Sequence, residues 1–312
     1  YIIAENSEII KRELAVKCFL CPRACGVDRK IGQKGVCGQT DRLKVARAAL
    51  HYWEEPCISG KEGSGAVFFS GCALHCVFCQ NQNIANGTAG KEISVGRLSE
   101  IFLELQEKGA NNINLVTPGH FVRQITEALD LARQNGLHLP IVYNTSSYEN
   151  VETIRMLDGY VDIYLPDYKY RSSRLSEKYS HAPDYPEVAA KAIAEMVRQT
   201  GAAEFAGKPG ESQMRRGTIV RHLMLPGHLR DSKDVLKYLH ETYGDTIYIS
   251  IMNQFTPLPH LKAYPELNRK VTEAEYEALL FYADTLGIEN GFIQDGETAK
   301  ESFIPEFDGE GV

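Results

Sequence analysis

The feature that most restricts the fold of this chain is an alternation that begins near residue 61. Short apolar runs over 65–70, 112–117, 140–144, 161–166, 217–225 and 246–252 are separated by longer stretches of helical periodicity. Leu98, Ile101, Phe102 and Leu105 fall on one helical face, as do Val122, Ile125, Leu129 and Ala132. Further helices are expected over 186–199 and after Asp231, and Thr272 with Glu275 has the spacing of a capping box that opens a helix through Leu286. A repeated strand-then-helix pattern is that of parallel βα units, with helices packed on a central sheet. Six such units fall short of the eight that complete a barrel. Parallel barrels gather their ligands at the carboxyl ends of the strands, so the residues just after each run are the candidate site.

Directly after the first run comes Gly71-Cys72-Ala73-Leu74-His75-Cys76-Val77-Phe78-Cys79, with no fourth cysteine within reach on its C-terminal side. Thiolates normally hold all four irons of a cubane iron–sulfur cluster, so three leave one iron open for chemistry. Zinc in a structural site instead takes four closed ligands, and His75 as the fourth is crowded between two cysteines. A second group, Cys18, Cys21, Cys25 and Cys37, lies in an irregular, glycine- and charge-rich segment over residues 1–60. A short loop-rich segment has little core of its own, so these four read as a filled metal site, either zinc or a second iron–sulfur cluster. Cys57 is left over, as a hydrogen donor, an auxiliary ligand or a buried thiol.

The three-cysteine spacing, with Phe78 before the last cysteine, resembles the signature of the radical S-adenosylmethionine (radical SAM) superfamily. The resemblance implies a [4Fe-4S] cluster whose open iron chelates the amino and carboxylate groups of SAM. It also implies a partial (β/α)6 barrel over residues 61–312, preceded by the cysteine-rich metal-binding segment 1–60. Tyr143-Asn144-Thr145-Ser146-Ser147-Tyr148, Asp167-Tyr168-Lys169 and Val220-Arg221 through Pro226-Gly227 are similar to strand-end elements of the enzymes that activate glycyl-radical enzymes. The phrase Cys18-Phe19-Leu20-Cys21-Pro22-Arg23-Ala24-Cys25 narrows the resemblance to a branch labelled as similar to pyruvate formate-lyase activating enzyme.

On that resemblance the SAM-binding candidates are Phe78, Thr117, Asn144, Lys169, Arg221 and Asn253. Lys169 offers a compact cation to the SAM carboxylate. Arg221 either makes bidentate contacts to a ribose or carboxylate or sits in a buried salt bridge with Asp167. Asn253 and Gln254 suit adenine or substrate, and Phe78 lies beside the cluster loop where adenine is expected. Where the superfamily commonly carries Gly-Gly-Glu-Pro, this chain reads Thr117-Pro118-Gly119. The turn is kept but the carboxylate is missing, leaving Thr117 or a free carbonyl to take the ammonium. His120 is either a ligand-facing base or a packing residue, and Tyr148, Tyr168 and Tyr170 either bind or pack.

The function implied is reductive cleavage of SAM to a 5′-deoxyadenosyl radical that abstracts hydrogen from a small molecule or peptide, with flavodoxin or ferredoxin as reductant. The alternatives are an activating enzyme that installs a glycyl radical on a partner protein and a non-catalytic zinc-binding protein. A net charge of −7 without a basic run speaks against nucleic acid. No apolar stretch approaches the roughly 20 residues that span a bilayer. The acidic start of the chain does not read as a signal peptide, and the metal-like cysteine spacings suit a reducing cytoplasm.

Overall fold

The computed structural model describes residues 17–208, 212–294 and 305–312; the acidic start of the chain lies outside them. The first elements are β1 (Lys44–His51), α1 (Pro56–Ser59), β2 (Ser64–Phe69), α2 (Gln82–Ala85) and β3 (Lys91–Glu92). Next come α3 (Val95–Glu107), β4 (Ile113–Val116), α4 (Val122–Gln134), β5 (Ile141–Thr145), α5 (Val151–Arg155) and β6 (Ile163–Pro166). The chain continues through α6 (Ser173–Ser180), α7 (Tyr185–Thr200), β7 (Glu204–Ala206) and β8 (Gln213–Leu223). It then forms α8 (Leu229–Tyr243), β9 (Tyr248–Met252), α9 (Glu273–Leu286) and β10 (Gly291–Ile293).

All six expected strands are present and lie side by side in chain order, in a sheet ordered β10-β9-β8-β6-β5-β4-β2-β1-β3. Every neighbouring pair from β2 to β10 is parallel. β1 and β3 extend the sheet antiparallel beyond β2, and β7 lies antiparallel on β8. The order has two edges, so the strands do not close into a ring. The segment before residue 60, expected to be irregular, contributes β1. A register shift between Val45 and Arg47 breaks its alternation, and that bulge hides the strand from a search for period two.

The two faces of the sheet carry different cargo. Leu115 of β4 points into a core shared with Leu98 and Ile101 of α3 and Ile125 and Leu129 of α4. On the opposite face Val142, Ile163, Leu165 and Ile219 close around Cys57 and Ile58 of α1. The short α1 therefore plugs the inner face beneath the site, which is where apolar burial places it. At the other end of the chain, the expected capping box at Thr272 and Glu275 opens α9. Among the described residues, no helix is long and apolar enough to cross a membrane.

Candidate active site

The carboxyl ends of the parallel strands surround a cavity of about 570 Å³. The loop after β2 brings Cys72, Cys76, Phe78 and Cys79 into its wall; Thr117 follows β4, Asn144 lies one residue before the end of β5, and Asp167 and Lys169 follow β6. Arg221 and Leu223 enter from β8, and Met252 and Gln254 from the end of β9. The expected thiols and five of the six expected SAM residues thus line one space. Asn253 does not; its backbone N–H donates to Gln294 Oε1 at 3.2 Å, and its neighbour Gln254 faces the cavity.

All three loop thiols are free and each receives a hydrogen-bond donor. Leu74 N–H donates to Cys72 Sγ at 3.4 Å, Ser180 Oγ donates to Cys76 Sγ at 3.2 Å, and Asn81 N–H faces Cys79. Burial pushes the Cys76 thiol up to about 11 against the pull of Lys169, and burial with the two neighbouring thiols pushes Cys79 up to about 12. Thiols in this state ionise together when a metal cation joins them. Among the described residues no three His, Cys, Asp or Glu side chains stand in single-ion geometry. A cubane instead distributes its thiolates around several irons. His75 is turned away to place Nε2 2.8 Å from Val36 O, so it does not join the thiols.

Beneath the loop lies a chain of half-buried charges. Lys169 Nζ contacts Asp167 Oδ2 at 2.6 Å, and Arg221 Nε contacts Asp167 Oδ1 at 3.2 Å. Arg221 also donates to Glu54 Oε2 at 2.9 Å and to Asn144 Oδ1 at 2.6 Å. Burial opposes the Asp167 carboxylate, but Lys169 and Arg221 outweigh it and hold its pKa below the ordinary value. Lys169 is likewise penalised by burial and raised on balance by Asp167. Arg221 therefore occupies the salt bridge that was the alternative to a ligand contact, while one side of the group still borders the cavity.

Glu54 and Glu55 escaped the sequence reading. Glu54 reaches in from the segment after β1 and accepts from Asn114 Nδ2 at 2.9 Å. Glu55 lines the same cavity; burial raises its pKa, and its Oε2 has no hydrogen-bond partner among the described residues. The available signals were two adjacent acids ahead of a buried strand and the polar Asn114 inside the apolar β4. Thr117 has φ 57°, an unusual conformation for a β-branched residue.

Other expectations resolve as packing. Burial lowers His120 to about 3, and its Nε2 donates to Ser70 O at 2.7 Å, so it is a neutral packing residue. The Tyr148, Tyr168 and Tyr170 hydroxyls bond Asp184, Pro186 O and Ser180 respectively, within the aromatic core. Cys57 is a buried thiol, and Cys18, Cys21, Cys25 and Cys37 do not line the cavity.

The 4Fe-4S single cluster domain family matches residues 58–180, a stretch that contains the three-cysteine loop and the strand ends through Lys169. The uncharacterized protein MJ0674 of Methanocaldococcus jannaschii is 26% identical over 292 residues, covering 90% of this chain and 78% of that protein. SuiB of Streptococcus suis, solved with its precursor peptide SuiA, superposes with a TM-score of 0.48 at 11% identity over 72% of this chain. The chain spans 47% of that SuiB chain. A domain of pyruvate-formate lyase-activating enzyme from Bacteroides vulgatus gives a TM-score of 0.38 at 12% identity, covering 57% of this chain and 91% of that one.

Proposed function

We propose that this chain is a radical SAM enzyme in which Cys72, Cys76 and Cys79 hold a [4Fe-4S] cluster at the carboxyl ends of the parallel strands. The observation that carries this reading is the gathering of three free thiols and four polar strand-end residues (Thr117, Asn144, Lys169 and Arg221) around one cavity. The 4Fe-4S family match over the same segment supports it. When bound, such a cluster supplies the electron that cleaves SAM to a 5′-deoxyadenosyl radical, which abstracts hydrogen from a substrate carbon.

The chain's own residues bind and orient. Lys169, held upright by Asp167, presents its ammonium beside Cys76 for the SAM carboxylate. The strained Thr117 turn offers its carbonyl or hydroxyl to the ammonium in place of the missing glutamate. Phe78 supplies the apolar wall for adenine, with Gln254 taking the part first expected of Asn253. Asn144 and Arg221 brace one another and face the ribose. The remaining charged lining, above all Glu55, suits a polar substrate, either a small molecule or a peptide segment. An electron donor of the flavodoxin or ferredoxin type completes the reaction, and installation of a glycyl radical on a partner protein is the alternative use of the same radical. Single Cys72→Ala, Cys76→Ala and Cys79→Ala variants should each lose the loop cluster and all SAM cleavage. A variant that still cleaves SAM would sink the assignment, and zinc alone at these thiols would favour a non-catalytic metal-binding protein.

A further inference from the structure

The N-terminal segment is seated directly on the three-cysteine loop. Arg23, between Cys21 and Cys25, donates from Nε to Ala73 O at 2.9 Å and from Nη2 to Leu74 O at 3.3 Å, both carbonyls lying between Cys72 and Cys76. The same guanidinium donates to Ser180 O at 3.0 Å and His181 O at 2.6 Å; Ser180 is the residue that donates to Cys76. On the other flank, Gly71 precedes Cys72 with φ 95°, and a Cβ there would stand 2.6 Å from Cys37 O. Glycine at that position lets the Cys37 backbone press against the loop.

Two of the four N-terminal thiols, Cys21 and Cys37, are also presented as the loop thiols are. Arg23 N–H faces Cys21 and Gln39 N–H faces Cys37, each two residues on from its cysteine. Leu74 stands in the same relation to Cys72, and Asn81 to Cys79. Backbone N–H groups aimed at sulfur stabilise a metal-bound thiolate more than a neutral thiol, which is a weak acceptor. Cys25 and Cys37 converge on Gly35, where a Cβ would lie 3.0 Å and 3.6 Å from their sulfurs. All four thiols are free.

We infer that Cys18, Cys21, Cys25 and Cys37, which like the loop thiols do not stand in single-ion geometry, hold a second iron–sulfur cluster, and that this cluster makes Arg23 a positioning residue for the loop that carries Cys72 and Cys76. Transfer of a preformed cluster displaces the thiol protons to solvent and forms iron–sulfur bonds to the four thiolates, with no change in oxidation state. The coupling rests on the radical SAM reading of the loop, whereas the existence of the second centre does not.

The test counts iron, sulfide and zinc in the full chain and in a Cys72→Ala, Cys76→Ala, Cys79→Ala triple variant. The triple variant should retain iron and sulfide that a further Cys21→Ser change removes; zinc without sulfide in the triple variant overturns the second cluster. No metal in the triple variant, with an intact far-UV spectrum, overturns the second centre. In the otherwise intact chain, Arg23→Ala and Cys21→Ser should each alter the electron paramagnetic resonance line shape of the reduced loop cluster and weaken SAM binding about tenfold. Their combination should be no worse than either alone, because they act through one contact. Arg23→Lys, which keeps the charge and loses the fork, should restore little. Unchanged spectra, or effects that multiply in the combined variant, overturn the positioning role even if the second metal is present.

Discussion

Glu54 carries the charge balance of this half-buried network. It is the second carboxylate facing Arg221, beside Asp167, and Lys169 adds another cation. Removing one partner of a buried pair leaves a charge without compensation, at a cost of about 3–5 kcal/mol. Glu54→Gln should therefore lower the urea midpoint of unfolding, and a loss below about 1 kcal/mol would show that solvent already screens Arg221. Lys169→Ala should weaken SAM binding at least about tenfold, roughly 1.4 kcal/mol, with loop iron unchanged; equal affinity would place the carboxylate elsewhere. His120 sets an acid limit. Its pKa falls from the usual 6.5 to about 3 in the folded chain, so its contribution is complete above pH 6.5 and is lost as pH falls toward 3. His120→Gln should flatten the stability slope between pH 6.5 and 5 by about 2 kcal/mol, read from unfolding curves across that range; an unchanged slope would mean the ring is protonated where it lies. At this scale the sequence exposed the residues whose chemistry is written in spacing or strand-end position, Cys72, Cys76, Cys79 and Lys169. It hid Glu54, whose partners Asn114, Asn144 and Arg221 come from three distant strands.

Periodicity reported the elements well wherever one face met water and the other met core. The helices α3 and α4 show this, each burying the stripe that its sequence predicts. It failed at β1, where a bulge breaks alternation, and at β10, whose three residues are too few to show a period. The same rule explains the one-residue error at the end of β9. Successive residues of an extended strand face opposite ways, so Met252 and Gln254 share the cavity face and Asn253 does not. The α9 cap was legible because both halves of the box are local: Glu275 N–H donates to Thr272 Oγ1 at 3.2 Å, and Thr272 N–H donates to Glu275 Oε2 at 3.0 Å. Thr272→Ala should cost about 1 kcal/mol, measured as a shift in unfolding midpoint, while loop iron and SAM affinity stay at their original values. A change in SAM affinity would show that α9 reaches the site by a route other than packing.

Over the whole molecule, an edged parallel sheet leaves its inner face accessible, and the N-terminal segment then lies across the cysteine loop. The alternation of runs and helices made the sheet legible because each βα unit is local in sequence. The seating of Arg23 was not legible, since its contacts to Ser180 and His181 cross more than 150 residues. What the arrangement must do, if the thiols and strand ends form one radical site, is cleave SAM. The decisive measurement is 5′-deoxyadenosine release from SAM by the anaerobically reconstituted chain after reduction, beside Cys76→Ala. The wild-type chain should release it and the variant should release none. A wild-type chain that carries a full loop cluster yet releases no 5′-deoxyadenosine, or a variant that releases as much as wild type, would contradict the radical reading at its centre.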